Sequence, residues 1–152
     1  MYSRSGPDQV SSPEQPPVGP ATGRGFGRVL IAVYAIFAVA ATARSAVQIA
    51  TKFAEAPLAY LLSALAAVIY LVATVALARG DKTSRRVATI SISIELIGVL
   101  VVGAASLFFP DAFTVTSVWT GFGSGYGFIP LVLPIVGLWW LRHTRPQSRP
   151  KK

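Results

Sequence analysis

The sequence predicts an all-α membrane protein, an up-down bundle of four transmembrane helices with both termini in the cytoplasm. Three observations lead to this fold class. The chain is 53% hydrophobic and only 13% charged, whereas soluble domains are usually about 25% charged. Its apolar residues form runs of about 20, the length of helix that crosses a hydrocarbon core of ~30 Å. Basic residues flank these runs on alternate sides, which sets the orientation of membrane proteins with short loops.

Residues 1–25 are predicted to form a disordered cytoplasmic tail, because they combine many prolines with Gly, Ser and Gln and hold little apolar surface to offset the entropy of ordering. The first span follows at about residues 26–49. A cleaved signal peptide is the alternative, since the small residues Ala41, Ala43 and Ala46 follow the apolar run. The long preceding tail and the length of the run favour an uncleaved helix.

The second and third spans are predicted at about residues 57–78 and 87–109. Pro57 suits the first turn of a helix. The second span carries a stripe of mostly small residues, which lets helices approach closely in lipid; the stripe is Ala59, Ser63, Ala67, Tyr70, Thr74 and Ala78. The third span holds Glu95, the only acid within a predicted span, on the same face as Gly98. We therefore expect that face to meet another helix.

The fourth span is predicted at about residues 126–141. Pro130 and Pro134 are predicted helix breaks within it, because proline lacks the N–H that a helix interior needs. The preceding segment, 121–127, alternates glycine with other residues, but it lacks the strand before it and the Lys-Ser/Thr after it that a phosphate loop requires. It is interpreted as a flexible or tightly packed entry to the last helix. Residues 142–152 are predicted to be a basic cytoplasmic tail.

The distribution of Lys and Arg predicts the orientation. The two tails and the loop between the second and third spans hold nearly all of the flanking basic residues, whereas the two remaining loops hold only Lys52. This pattern predicts a multi-pass protein with both termini in the cytoplasm. The net charge of +8 predicts attraction to anionic lipid headgroups. Nucleic acid is not an expected partner, because the charges lie beside apolar spans and not on one face of a soluble fold.

A polar cluster inside the membrane is predicted from the helical rise of ~1.5 Å per residue, which puts Glu95 and Tyr70 each about 14 Å from the inner edge and Arg44 about 24 Å from it. Gln48 shares a face with Arg44, and Ser91 shares one with Glu95. The prediction is a chain Arg44–Tyr70–Glu95. Its role stays open between a structural clamp that fixes helix register and a proton- or cation-linked site.

The residue types give no catalytic, metal or cofactor site. There is no cysteine, and His143 is the only histidine, so no cluster has metal-ligand spacing. Glu95 lacks a second carboxylate at its depth, as acid–base chemistry would need. Ser91 and Ser93 have no base to activate them. We therefore expect no enzymatic activity, no resident metal and no cofactor.

Two stretches carry a resemblance to a known group of proteins. They run from Thr83-Ser-Arg-Arg86 through the third span, and from Val118-Trp119 to Arg142 with the core GYGFIPLVLP. Here the chain resembles small, uncharacterised integral membrane proteins of actinobacteria. The resemblance implies four helices and a plasma-membrane location, and it brings no activity or catalytic residue with it.

The sequence thus predicts a small multi-pass membrane protein that acts as an accessory or structural component, through a protein partner or as a homo-oligomer. The alternative is a small proton- or cation-linked transporter or channel subunit that uses Glu95.

Overall fold

A computed structural model of the protein describes residues 22–144. The greater part of both predicted tails, residues 1–21 and 145–152, lies outside the described residues. Four α-helices make up most of the rest, and their bounds are α1, Thr22–Lys52; α2, Pro57–Arg79; α3, Lys82–Phe108; and α4, Ile129–His143. Short 3-10 turns cover Phe53–Glu55, Pro110–Phe113 and Thr120–Tyr126. Residues 22–144 contain no strand, which confirms the predicted all-α class for the part of the chain described.

Three of the helices are long and apolar enough to cross a membrane. They have 31, 23 and 27 residues, which at ~1.5 Å per residue exceeds a ~30 Å hydrocarbon core in each case. The fourth helix has 15 residues, or about 22 Å by the same rise. It begins three residues later than the predicted span at 126–141, and the turn before it meets it at 98°.

The late start of α4 has a backbone cause. Phe128 precedes the helix in the left-handed region, with φ 60°, and Gly127 lies there too, with φ 63°. These two residues turn the chain sharply, so Tyr126 cannot belong to the same helix as Ile129. Pro130 consequently falls in the first turn, where no N–H is needed. Of the two predicted helix breaks, only Pro134 lies inside α4, and the helix continues through it from Ile129 to His143.

A two-residue corner joins α2 to α3. Gly80 ends α2 in the left-handed conformation, and its N–H donates to the Ala76 carbonyl oxygen over 3.3 Å. Asp81 then caps α3, since its carboxylate accepts hydrogen bonds from the Ser84 hydroxyl at 2.6 Å and the Ser84 N–H at 3.3 Å. These bonds hold the pKa of the Asp81 carboxyl below its usual range. The cap explains why the third helix begins at Lys82 and not at the predicted residue 87.

Each helix packs against the next in chain order, whereas α1 and α3 are not neighbours and lie diagonally across the bundle. Glycines on α1 and α3 allow aromatic rings from the C-terminal third of the chain to pack close to the backbone of these helices. A Cβ added to Gly98 would lie 2.8 Å from the Trp119 ring, and one added to Gly27 would lie 2.6 Å from the Trp140 ring. The Phe122 ring packs in the same way against Gly103. We call Gly27, Gly98 and Gly103 the glycine notches.

We expect Gly98→Ala to destabilise the protein, because the new methyl group overlaps the Trp119 indole. Overpacking of this kind costs about 1–3 kcal/mol, against up to ~1 kcal/mol regained from the better helix propensity of alanine. Thermal unfolding in detergent micelles measures the net loss. Gly25→Ala is the matched control, since a Cβ there has nothing within 4 Å. Equal stability of the two variants would contradict the packing argument.

Candidate functional site

The centre of the site is the carboxyl group of Glu95, which is 0% exposed. The helical period of α3 places it on the interior face together with Ile92 and Val99, which are buried one turn before and one turn after it. Ser91, also buried, lies on the same face. The acid therefore points into the bundle and not towards lipid, as the small residues around it predict.

Glu95 receives a hydrogen bond from a residue that the sequence analysis does not single out. The Tyr34 hydroxyl of α1 donates to Glu95 Oε2 over 2.9 Å, and the Tyr34 side chain is 0% exposed. The bond spans the diagonal of the bundle, from α1 to α3. Tyr34 could have been predicted as a partner from its depth in the membrane. It lies ten residues after Arg24, or about 15 Å from the inner edge, which is nearly the predicted depth of Glu95.

Tyr70 of α2 completes the surroundings of the carboxyl group. It is 0% exposed, and its ring centroid lies 6.1 Å from that of Tyr34. Its hydroxyl neighbours Glu95 and the Trp119 indole. Within residues 22–144, however, Tyr70 Oη, Glu95 Oε1 and Trp119 Nε1 are buried without a hydrogen bond of acceptable geometry. Three helices and the loop after α3 thus bring polar atoms to one level, and only one hydrogen bond joins them.

Arg44 belongs to a different cluster, so the predicted chain Arg44–Tyr70–Glu95 is not formed. The Arg44 guanidinium donates to the Tyr126 hydroxyl and, over 3.2 Å, to the Thr116 carbonyl oxygen, and it lies 5.8 Å above the Tyr126 ring. The segment between α3 and α4 folds back over this end of the bundle and supplies partners nearer to Arg44 than Glu95 is. Gln48, half-buried one turn further along α1, has no hydrogen-bond partner for its Oε1 in the described part of the chain.

An aromatic row links the two clusters. The ring centroids of Tyr34 and Tyr70 are 6.1 Å apart, those of Tyr70 and Phe37 are 5.8 Å apart, and those of Phe37 and Tyr126 are 6.1 Å apart. Such tilted and edge-to-face pairs stabilise a core beyond their buried area. The space between Glu95 and the Arg44 cluster is therefore filled by packed rings.

The first half of the glycine-rich segment before α4, residues 121–123, is closely packed, whereas a Cβ on Gly125 or Gly127 would meet nothing within 4 Å. Gly121 and Gly123 adopt left-handed φ values, as does Phe122 at 59°, a conformation that is strained for a bulky residue. The Gly121 N–H donates to the Ser106 hydroxyl over 2.9 Å, and a Cβ on Gly123 would lie 2.8 Å from the Pro130 ring. Contacts with α3 and α4 hold this strained segment in place.

The described residues offer no metal site, because no group of three or more His, Asp or Glu side chains within residues 22–144 is arranged to hold an ion. His143 packs on the Trp139 ring with centroids 4.8 Å apart, and its Nδ1 lies 2.8 Å from the Trp139 carbonyl oxygen. This histidine lies at the end of α4 and contributes to the packing of that end.

Comparison of the chain with protein-family models, curated proteins and solved structures finds no match. Function is therefore inferred from the geometry of the site. A buried carboxylate without a cation costs several kcal/mol, and the hydrogen-bond partner of Glu95 is a phenol. A neutral carboxylic acid fits these surroundings, because it accepts the Tyr34 hydrogen bond and carries no charge to be compensated.

We expect Tyr34→Phe to lower the free energy of unfolding by about 1–3 kcal/mol, because it leaves the buried Glu95 Oε2 without its donor. Tyr70→Phe is the matched control. It removes a hydroxyl that has no hydrogen bond, so stability should stay within about 0.5 kcal/mol of the original protein or rise. Thermal or denaturant unfolding in micelles compares the two. Equal losses would show that the Tyr34–Glu95 bond does not stabilise the bundle.

Proposed function

We propose that this chain is a multi-pass protein of the plasma membrane with four crossings and both termini in the cytoplasm. The length and composition of α1, α2 and α3 support three crossings. The fourth crossing combines α4 with the bent turn before it, and Trp139 near the inner end of α4 suits the membrane–water interface. The α2–α3 corner carries Arg79, Lys82, Arg85 and Arg86, which favours a cytoplasmic location for that corner.

The function that we propose is that of an accessory or structural membrane component, acting through a protein partner or through copies of itself. The observation that carries this proposal is the enclosure of Glu95, which is 0% exposed and hydrogen-bonded to Tyr34 across the bundle. A polar group used in this way fixes which helix faces meet, and it presents no atom to a substrate. Contacts with other molecules then fall to the outer surfaces, where large apolar side chains of α1, α2 and α3 are exposed.

A second candidate, a proton- or cation-linked subunit of a transporter or channel, is favoured by one specific observation. Tyr70 neighbours the Glu95 carboxyl group, yet Tyr70 Oη and Glu95 Oε1 both lack a hydrogen-bond partner in the described part of the chain. Ionisable groups at membrane depth are often proton relays. In this candidate the Glu95 carboxyl group exchanges a proton during transport.

Single-cysteine labelling tests the topology, since the chain has no cysteine of its own. In intact cells we expect a membrane-impermeant maleimide to label Thr114→Cys, in the segment between α3 and α4. Lys82→Cys, at the α2–α3 corner, and His143→Cys, at the end of α4, should react only after lysis. Labelling of Lys82→Cys from outside would reverse the orientation, and labelling of His143→Cys alongside Thr114→Cys would remove the fourth crossing.

The two functions are separated by the variant Glu95→Gln, which keeps the shape and the hydrogen bonding of a neutral acid but cannot release a proton. If the protein has the accessory function, we expect the Glu95→Gln variant to fold normally in micelles. Proteoliposomes that contain the variant or the original protein should then have the same proton permeability as empty liposomes. The protein should also co-purify reproducibly with one envelope complex or with tagged copies of itself. A pH-dependent flux that disappears in Glu95→Gln would decide for the second candidate. Loss of folded protein would show that Glu95 acts as a charged clamp.

A further inference from the structure

A groove of about 390 Å³ lies between α2 and α3, next to the corner that joins them. Its apolar walls include Leu71, Val72, Val75 and Val87, and one end is lined by Arg79 and Thr83. The volume is in the range of small-molecule sites. The groove is therefore long and apolar with a single basic, polar end.

The dimensions of the groove follow the helix axis. Leu71 precedes Arg79 by eight residues, so the groove extends about 12 Å along α2 at the usual rise. The apolar wall residues are about 40–50% exposed, which leaves them open to the surroundings of the bundle. In the topology proposed above, the groove runs from the headgroup level of the cytoplasmic leaflet into the hydrocarbon core.

Arg79 is the basic side chain left to face the groove. Arg85, close to it in sequence, donates to the Leu141 carbonyl oxygen at 2.5 Å and to the Thr144 carbonyl oxygen at 2.6 Å, which ties it to the end of α4. The neighbouring acid, Asp81, accepts both of its side-chain hydrogen bonds from Ser84. The corner keeps an excess of positive charge at the polar end of the groove.

We propose that this groove binds one phospholipid with a net negative headgroup. The phosphate lies against Arg79, whose planar guanidinium suits a phosphate group, and the Thr83 hydroxyl donates a hydrogen bond to a phosphate oxygen. One acyl chain runs along Leu71, Val75 and Val87. This site rests on the proposed membrane function and identifies one partner for it, a particular lipid held at a particular position.

The test is binding of phosphatidylglycerol to the purified full-length protein in detergent micelles, measured by native mass spectrometry and by the rise in unfolding temperature. We expect a one-to-one adduct with phosphatidylglycerol. Phosphatidylcholine and inorganic phosphate at the same concentration should give little adduct and little rise in unfolding temperature. Phosphatidylcholine has no net charge, and inorganic phosphate has no acyl chain. Arg79→Gln should weaken binding by about ten-fold or more, since a hydrogen bond to a charged group contributes about 1.5–3 kcal/mol.

Two matched controls accompany these measurements. Arg142→Gln removes the same charge from the end of α4, outside the groove, and should leave binding unchanged. Val75→Trp fills the middle of the groove and should abolish the adduct, whereas Ile97→Trp adds the same ring at an exposed position of α3 outside the groove and should not. Size-exclusion profiles and circular dichroism establish that each variant is folded.

Three results would overturn the proposal. An equal loss of phosphatidylglycerol binding in Arg79→Gln and Arg142→Gln would show that the lipid is attracted only by the general positive charge of the surface. Inorganic phosphate acting as well as the lipid would show a site for free anions. Undiminished binding in Val75→Trp would place the lipid elsewhere. These outcomes are distinct from failure of the proposed membrane function, because binding in micelles does not depend on orientation, which the cysteine labelling measures separately.

Discussion

The hydrogen bond from Tyr34 to Glu95 is the interaction on which the centre of the bundle depends. It joins α1 to α3, two helices that are not neighbours, and it crosses the region that α2 and α4 enclose. In a hydrocarbon environment no water satisfies a polar side chain, so a buried acid without a hydrogen-bond partner costs several kcal/mol. A single phenol and a single acid thus join the inward faces of two diagonal helices, and the buried side chains of Tyr70 and Trp119 lie beside them.

Two arginines perform a comparable task at the opposite ends of the bundle. Arg44 bonds the Tyr126 hydroxyl and the Thr116 carbonyl oxygen, and so holds the segment after α3 against α1. Arg85 bonds carbonyl oxygens at the end of α4, where a helix leaves acceptors unpaired. Apolar burial gives little preference for helix contact over lipid contact in a membrane. Polar bonds at three levels, together with the glycine notches, therefore fix the arrangement.

The sequence was sufficient to predict the helical class and the inward direction of the Glu95 side chain, because apolar runs and a lone acid are local signals. It did not locate Tyr34, since one tyrosine in an apolar run looks like any packed aromatic residue. It also did not predict the partners that Arg44 has in the structure, the Tyr126 hydroxyl and the Thr116 carbonyl oxygen. Those partners come from a segment in which Phe122 and Phe128 hold positive φ values, and only tertiary contacts impose that geometry. The start of α3 at Lys82 could have been predicted from the Asp81–Ser84 cap.

The glycine notches imply an order of assembly. Each notch lies on α1 or α3 and receives an aromatic ring from the part of the chain after α3, namely Trp140 at Gly27, Trp119 at Gly98 and Phe122 at Gly103. The three rings can pack only after α1 and α3 have formed the surfaces that contain the glycine notches. During synthesis from the N-terminus, the first three helices are then expected to associate before the last third of the chain docks, and the strained turn at Phe122 is expected to form last.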